Sequence, residues 1–245
     1  MFNGLKFISI SMFNISDWAL KTTLYISFIC MIAVGCNNKE KSPNTQSNSN
    51  VAGKETRLDP AAKKTIIFFG NSLTAGYGLE PEQAFPFLIQ SKIDSLNLDY
   101  KVVNAGVSGE TSSGGNSRIN WILKQPVDVF VLELGANDGL RGILVAETKR
   151  NLQEIIDKVK AKYPNGQIVL AGMQVPPNMG AKYAADFQSI FPALAKQNNI
   201  TLIPFLLEGV GGDVKFNQQD GIHPNVEGAR IVAENVWKQL QNILK

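Results

Sequence analysis

Five short stretches of almost uninterrupted apolar residues constrain this chain more than any other feature of its 245 residues. They are Thr65–Phe69 (TIIFF), Lys101–Asn104, Val127–Leu134, Gln167–Met173 and Ile200–Phe205. A strand with one wet face alternates apolar and polar residues. A strand covered on both faces reads as a continuous run, as in a parallel sheet between helices. The segments between the runs carry a helical repeat. Leu152, Ile155, Ile156 and Val159 share one face, as do Phe187, Ile190, Phe191 and Leu194, and then Ala229, Val232, Ala233, Val236, Trp237 and Leu240. Pro192 interrupts the second of these patterns and predicts a kink, because it has no N–H and its ring crowds the preceding turn. Strand and helix in alternation predict an α/β domain of three layers, α/β/α, around a five-stranded parallel sheet.

That domain is expected over residues 64–245, which is long enough for a substantial core. What precedes it reads as an address. Lys21 is followed by Leu24–Gly35 (LYISFICMIAVG), twelve mostly apolar residues that end at Cys36. A transmembrane helix needs about twenty. The run fits the core of a signal peptide over residues 1–35, with small residues before the cleavage point and Met12 as an alternative start. Ala33-Val34-Gly35-Cys36 resembles a bacterial lipobox, which implies lipid on the Cys36 thiol; a plain signal peptide with an incidental cysteine is the other reading. Residues 36–63 then form a tether. Asn37–Asp59 has no aromatic and almost no aliphatic residues, so it cannot bury enough surface to fold. The expected location is the cell envelope, with the domain held to a membrane through Cys36.

Composition removes several classes of function. At 44% hydrophobic and 18% charged residues the chain is of ordinary globular make-up. A net charge of +3 is too small to argue for nucleic acid, which asks for a clustered basic face. There is one histidine, His223, and the two cysteines, Cys30 and Cys36, both precede the domain. A zinc site draws on about three or four protein ligands, so no metal is expected. No G-x-G-x-x-G follows a strand, and Ser108–Ser117 lacks the Gly-Lys-Ser/Thr ending of a phosphate loop, so no cofactor is expected either. A monomer is expected.

In a parallel sheet flanked by helices, ligands bind at the carboxyl ends of the strands. Polar residues just after strands are therefore the candidates. Gly70-Asn71-Ser72-Leu73-Thr74-Ala75-Gly76-Tyr77-Gly78 follows the first strand, and Ser72 alone reads equally as a helix N-cap. Gly106-Val107-Ser108-Gly109-Glu110-Thr111 follows the second, where Gly106 lets the backbone approach a ligand or simply makes a turn. Gly135-Ala136-Asn137-Asp138-Gly139 follows the third and is an unremarkable turn by itself. Asp220-Gly221-Ile222-His223-Pro224 precedes the last helix, with Pro224 suited to the first helical position and His223 at or near the N-cap. A carboxylate three residues before a histidine can accept from Nδ1–H and leave Nε2 as a base.

Gly-x-Ser-Leu, Gly, Gly-x-Asn-Asp and Asp-x-x-His, in this order and at these places, resemble the blocks of the SGNH (GDSL-type) hydrolases. The likeness covers about Lys64 to Leu240 and is nearest to the secreted arylesterase/thioesterase/lysophospholipase branch, which shares wording such as GxSLTAGYG, ANDGLRG and DGIHPN. It implies a flavodoxin-like fold and hydrolysis of carboxylic esters or thioesters. It puts the nucleophile on Ser72, the base on His223 and the aspartate on Asp220. It puts the oxyanion donors on the backbone N–H groups of Ser72 and Gly106 and on the side-chain amide of Asn137. One departure is plain: Asn71 stands where the family has aspartate, with the same shape and no charge.

The chemistry needs these residue types. A serine hydroxyl is a poor nucleophile without an adjacent base, and His223 is the only histidine in the chain. For the substrate, Leu140, Ile143 and Leu144 after the third block and Val175, Pro176, Pro177 and Met179 after the fourth strand form apolar loops. Such a wall favours an acyl chain, at about 0.8 kcal/mol per buried methylene, though some of these residues would pack beneath the loops. The expectation is a serine esterase for small-molecule esters of short-to-medium acyl chains, extending to thioesters or lysophospholipids. A carbohydrate O-acetylesterase with the same three residues is the alternative, and a non-enzymatic binding lipoprotein is a third.

Overall fold

The computed structural model describes residues 63–244. The expected signal peptide, the lipidated Cys36 and the tether up to residue 62 lie outside the described residues. Strands β1 (Lys64–Gly70), β2 (Tyr100–Gly106), β3 (Val129–Glu133), β4 (Gln167–Ala171) and β5 (Thr201–Ile203) pair in the order β2-β1-β3-β4-β5. All four pairings are parallel, with Gly70 opposite both Gly106 and Glu133. This is the flavodoxin-like order with a reversal of direction at β1. The strand connections run through α1 (Ser72–Ala75), α2 (Phe85–Ser95), α3 (Ser112–Ile122), α4 (Ala136–Leu140), α5 (Val145–Lys162) and α6 (Ala181–Asn198), and α7 (Val226–Leu240) follows β5.

The apolar runs become strands because both of their faces are covered. In β1, Ile66, Ile67, Phe68 and Phe69 are fully buried. Phe68 meets the ring of Phe85 on α2 edge-on at 5.5 Å, and Phe69 meets the guanidinium of Arg118 on α3 at 4.0 Å. Alternate residues thus face different helical layers. Helix α2 packs against α7, while α3 packs against α5 and α5 against α6. That division follows from right-handed crossovers in a sheet that reverses direction at β1.

Several elements differ in detail from the runs read in the sequence: β2 extends to Gly106, β3 spans Val129–Glu133 and β4 ends at Ala171. The fifth run was expected to Phe205, but β5 stops at Ile203 because Pro204 has no N–H for the ladder. Pro192 lies inside α6, yet the helix continues through it to Asn198, its apolar face buried through Phe187, Ile190, Phe191 and Leu194. Pro224 is not the first residue of α7. Asn225 is the N-cap, its side chain accepting from Gly228 N–H at 3.0 Å, and Pro224 instead bridges to Asn217. Between β5 and α7, residues 204–225 form no strand or α-helix. This stretch carries the Asp-x-x-His block.

Gly228 gives a test of how α7 is seated. A Cβ there would lie 2.1 Å from the carbonyl oxygen of Phe216, which already accepts the N–H of Asn225. Alanine would gain about 1 kcal/mol of helix propensity over glycine, but the clash is with backbone that has no room to yield. Gly228→Ala is expected to destabilise the domain by about 1–3 kcal/mol net, measured by chemical denaturation.

Candidate active site

The site sits where the sheet order reverses, at the carboxyl ends of β1, β2 and β3. Its first part is a tight turn out of β1. Gly70 ends the strand in a space where a Cβ would lie 2.2 Å from Thr74 Oγ1 and 2.7 Å from the Glu133 carbonyl oxygen. Asn71 then caps α1, its Oδ1 accepting from Leu73 N–H at 2.9 Å. The helix closes one turn later on Gly76, at φ +76°. Ser72 is thereby the first helical residue. Its N–H, one of the donors a helix leaves without an internal partner, makes no hydrogen bond within the described residues.

The second part is the turn before α7. Asp220 Oδ1 accepts the backbone N–H groups of Ile222 at 2.9 Å and His223 at 3.0 Å, with Gly221 at φ +68° between them. Its other oxygen, Oδ2, lies 2.6 Å from His223 Nδ1. His223 Nε2 lies 2.9 Å from Ser72 Oγ. The three residues singled out in the sequence are in line, across 151 positions of chain. Desolvation in the turn pushes the Asp220 carboxyl up, but hydrogen bonds from the His223 backbone and ring and from Ile222, with the His223 charge, outweigh it and hold it at about 2. It is a carboxylate at any working pH, so it fixes Nδ1 as the protonated nitrogen and leaves Nε2 facing the serine. Gln218 joins the two turns. Its Nε2 donates to Tyr77 O at 2.7 Å and Pro224 O at 3.0 Å, and its N–H donates to His223 O at 2.7 Å.

The third part is a set of donors on the segments that follow β2 and β3. Asn137 lies in the first turn of α4, and one of its Nδ2 hydrogens goes to Glu110 O at 3.0 Å, which leaves the other to a ligand. Beneath it, buried Asp138 accepts Ser112 N–H at 2.8 Å and Ser112 Oγ–H at 2.5 Å, fixing α4 to the start of α3. Gly106 does not have the place expected of it. Its N–H donates to Asn104 Oδ1 at 3.0 Å, and a Cβ there would lie 2.3 Å from Ala75 N. It is glycine because β2 passes close against α1. In that loop the N–H groups of Ser108 and Gly109 make no hydrogen bond within the described residues; Gly109, at φ +79°, directly precedes the residue whose carbonyl holds Asn137. Two glycines three residues apart gave the sequence no means of choosing between them.

Glu133 also escaped the sequence reading, although a glutamate at the end of an otherwise apolar strand is itself a signal. It is buried and accepts from Asn71 Nδ2 at 2.8 Å, Asn71 N–H at 3.1 Å, Thr74 Oγ1 at 2.8 Å and Thr74 N–H at 3.3 Å. Burial raises its carboxyl to about 7 against those four bonds, which favour the charged form. An aspartate at position 71 would put a second carboxyl within 2.8 Å of this one, where an amide instead donates to it.

A hydroxyl, imidazole and carboxylate thus lie in line at the carboxyl edge of a flavodoxin-like sheet. The chain belongs to the GDSL-like lipase/acylhydrolase family, whose sequence profile matches residues 68–231. It is 40% identical over 185 residues to the esterase TesA of Pseudomonas aeruginosa, covering 75% of this chain and 91% of that protein. It is 40% identical over 185 residues to thioesterase 1/protease 1/lysophospholipase L1 of Escherichia coli, covering 75% and 86%. It is 35% identical over 180 residues to an arylesterase of Vibrio mimicus, covering 73% and 89%. Among solved structures, a crystal structure of TesA superposes with a TM-score of 0.71 at 39% identity, covering 74% of this chain and 100% of that one. The Pseudoalteromonas esterase EstA, in a structure inhibited by monoethylphosphonate, gives 0.69 at 33% identity, covering 74% and 98%. The chain is a hydrolase acting on ester bonds.

Glu133 carries a pH dependence whose sign is fixed. Its folded-state value is raised from 4.5 to about 7, so the stability it contributes is complete below 4.5 and is lost as pH rises through about 7. The stability of the wild type relative to Glu133→Gln is therefore expected to fall between pH 4.5 and pH 8, measured by denaturant unfolding at each pH.

Proposed function

We propose that this protein is a serine esterase for short-to-medium acyl esters, with thioesters and lysophospholipids within its range. The observation that carries the reading is the chain of contacts from Ser72 Oγ through His223 to Asp220, at 2.9 and 2.6 Å. His223 Nε2 takes the Ser72 proton as Oγ attacks the acyl carbon. The charge that develops on the carbonyl oxygen is met by the N–H groups of Ser72 and Gly109 and by Asn137 Nδ2. His223 then gives its proton to the leaving oxygen or sulfur, and a water repeats the sequence on the acyl-enzyme. Asp220 stabilises the imidazolium and stays ionised throughout.

An acyl chain is favoured by what surrounds the site. Tyr77, whose ring lies 4.7 Å from that of His223, and Ile222, next to His223 in the chain, are exposed apolar residues at the site. Val175, on the apolar loop after β4, is buried. The relatives' names run over esterase, thioesterase, lysophospholipase and arylesterase, so chemistry at an acyl carbon is common to them while the leaving group varies. The family's intact serine, histidine and aspartate argue against a purely binding role. We further propose that the chain is exported and held to the cell envelope by lipid on Cys36, with the domain acting just off a membrane.

The decisive experiment is hydrolysis of a p-nitrophenyl ester series from acetyl to palmitoyl, with Ser72→Ala as control. Turnover is expected to peak at mid-length and to vanish in Ser72→Ala. Equal rates in the two proteins would sink the reading, and activity on acetyl alone would turn it to sugar deacetylation. An alkyl phosphonate is expected to label Ser72, as read by peptide mass. Asn137→Ala is expected to lower kcat by about 10²–10³ with a smaller change in KM, the usual effect of removing one oxyanion donor.

A further inference from the structure

The three donors proposed to meet the oxyanion lie on three separate segments, and one part-buried ion pair reaches the neighbours of all of them. Arg118, on α3, reaches under the carboxyl edge of the sheet. Its Nε donates to Glu110 Oε1 at 2.6 Å and its Nη2 to Glu110 Oε2 at 2.5 Å, a bidentate pair with Glu110 almost fully buried. Nη2 also donates to Ala105 O at 2.8 Å and approaches Gly70 O at 3.4 Å. The guanidinium carbon is 4.0 Å from the centroid of the Phe69 ring, which holds its plane.

These partners bear directly on the donors. Gly70 ends β1, two residues before Ser72, and Ala105 lies near the end of β2, where the Gly106–Glu110 loop begins. Glu110 follows Gly109 directly, and its own carbonyl oxygen accepts from Asn137 Nδ2 at 3.0 Å. One side chain therefore touches the strand end that leads to the first donor, the residue beside the second, and the residue that orients the third.

We infer that Arg118, acting through Glu110, is the positioning residue that aims the Ser72, Gly109 and Asn137 donors at one point; this rests on their assignment as the oxyanion site. The job calls for arginine. A planar fork serves both carboxylate oxygens and two carbonyls while stacked on an aromatic face, and a lysine ammonium has neither the plane nor the reach for it. The pair touches neither Ser72 Oγ nor His223, so its loss should mislay the donors and leave the nucleophile and base in place. A displacement of about 1 Å at such donors costs about 10²-fold in rate.

The test is Arg118→Lys in the full-length protein, assayed on a p-nitrophenyl ester. The expected result is a fall in kcat of about 10- to 100-fold with KM within about twofold. The acid limb of the pH profile, which reports His223, is expected to stay where it is. Arg118→Ala is expected to regain part of its kcat on addition of ethylguanidinium and not of ethylammonium. Should Arg118→Ala fail to fold, Glu110→Gln is the second variant, with the same kcat-selective loss and a double variant with Arg118→Lys no worse than the poorer single. Wild-type kcat in folded Arg118→Lys would overturn the inference. So would a loss of activity that only follows the folded fraction, with no rescue by the guanidinium. Ser72→Ala separates the two proposals: activity surviving in it defeats the esterase reading itself, whereas an inactive Ser72→Ala beside a fully active Arg118→Lys removes only the positioning role.

Discussion

The turn that carries Ser72 depends on one buried carboxyl group at the end of the central strand. Glu133 receives four hydrogen bonds from Asn71 and Thr74, the residues on either side of the Ser72–Leu73 step. Each unpaired polar group at that depth would cost roughly 1–3 kcal/mol, so the four bonds and the single turn of α1 stand or fall together. The turn in its place gives Ser72 its N–H, its rotamer and its distance to His223. The Asn71 amide both donates to Glu133 and caps the helix.

Around this centre each loop has its own fastening to the scaffold. Asp138 joins α4 to the start of α3, Arg118 and Glu110 join the β2 loop to the strand ends, and Gln218 joins the serine turn to the histidine turn. Donors fixed in advance of the reaction need no reorganisation when charge develops, which is where most of their catalytic effect lies. The Asp138–Ser112 contact is buried and the Gln218–Tyr77 contact spans 141 residues, and the packed sheet is what brings their members within reach.

Much of this was legible in the sequence. The five strands were found because a parallel sheet covered on both sides leaves a continuous apolar run, and α5 and α7 because their faces repeat at helical spacing. Ser72, Asn137, Asp220 and His223 were singled out because they follow strands or precede the last helix in the order of the family's blocks, and the structure brings Ser72, His223 and Asp220 within hydrogen-bond distance. What stayed hidden depends on tertiary contact. Whether Gly106 or Gly109 offers a free N–H turns on Asn104, whose side chain happens to satisfy the first. Glu133 reads as a strand terminus until Asn71 and Thr74 are seen above it. Asn225 took the capping role expected near His223, because an amide that accepts Gly228 N–H ends the competition with Pro224.

The proposed base and its carboxylate partner ride on residues 204–225, a stretch with no strand or α-helix of its own. Such segments open with less free energy than the sheet they lie against. What restrains this one is a handful of side-chain amides, among them Gln218 on Tyr77 and Asn217 on Val210, and the cap of α7. Leu206 and Val210 hold its first half in the core, so an opening of the second half would part His223 from Ser72 without unfolding the domain. On warming, catalysis would fade reversibly while the sheet is still intact, and the temperature at which rate is greatest would fall below the temperature at which the core melts.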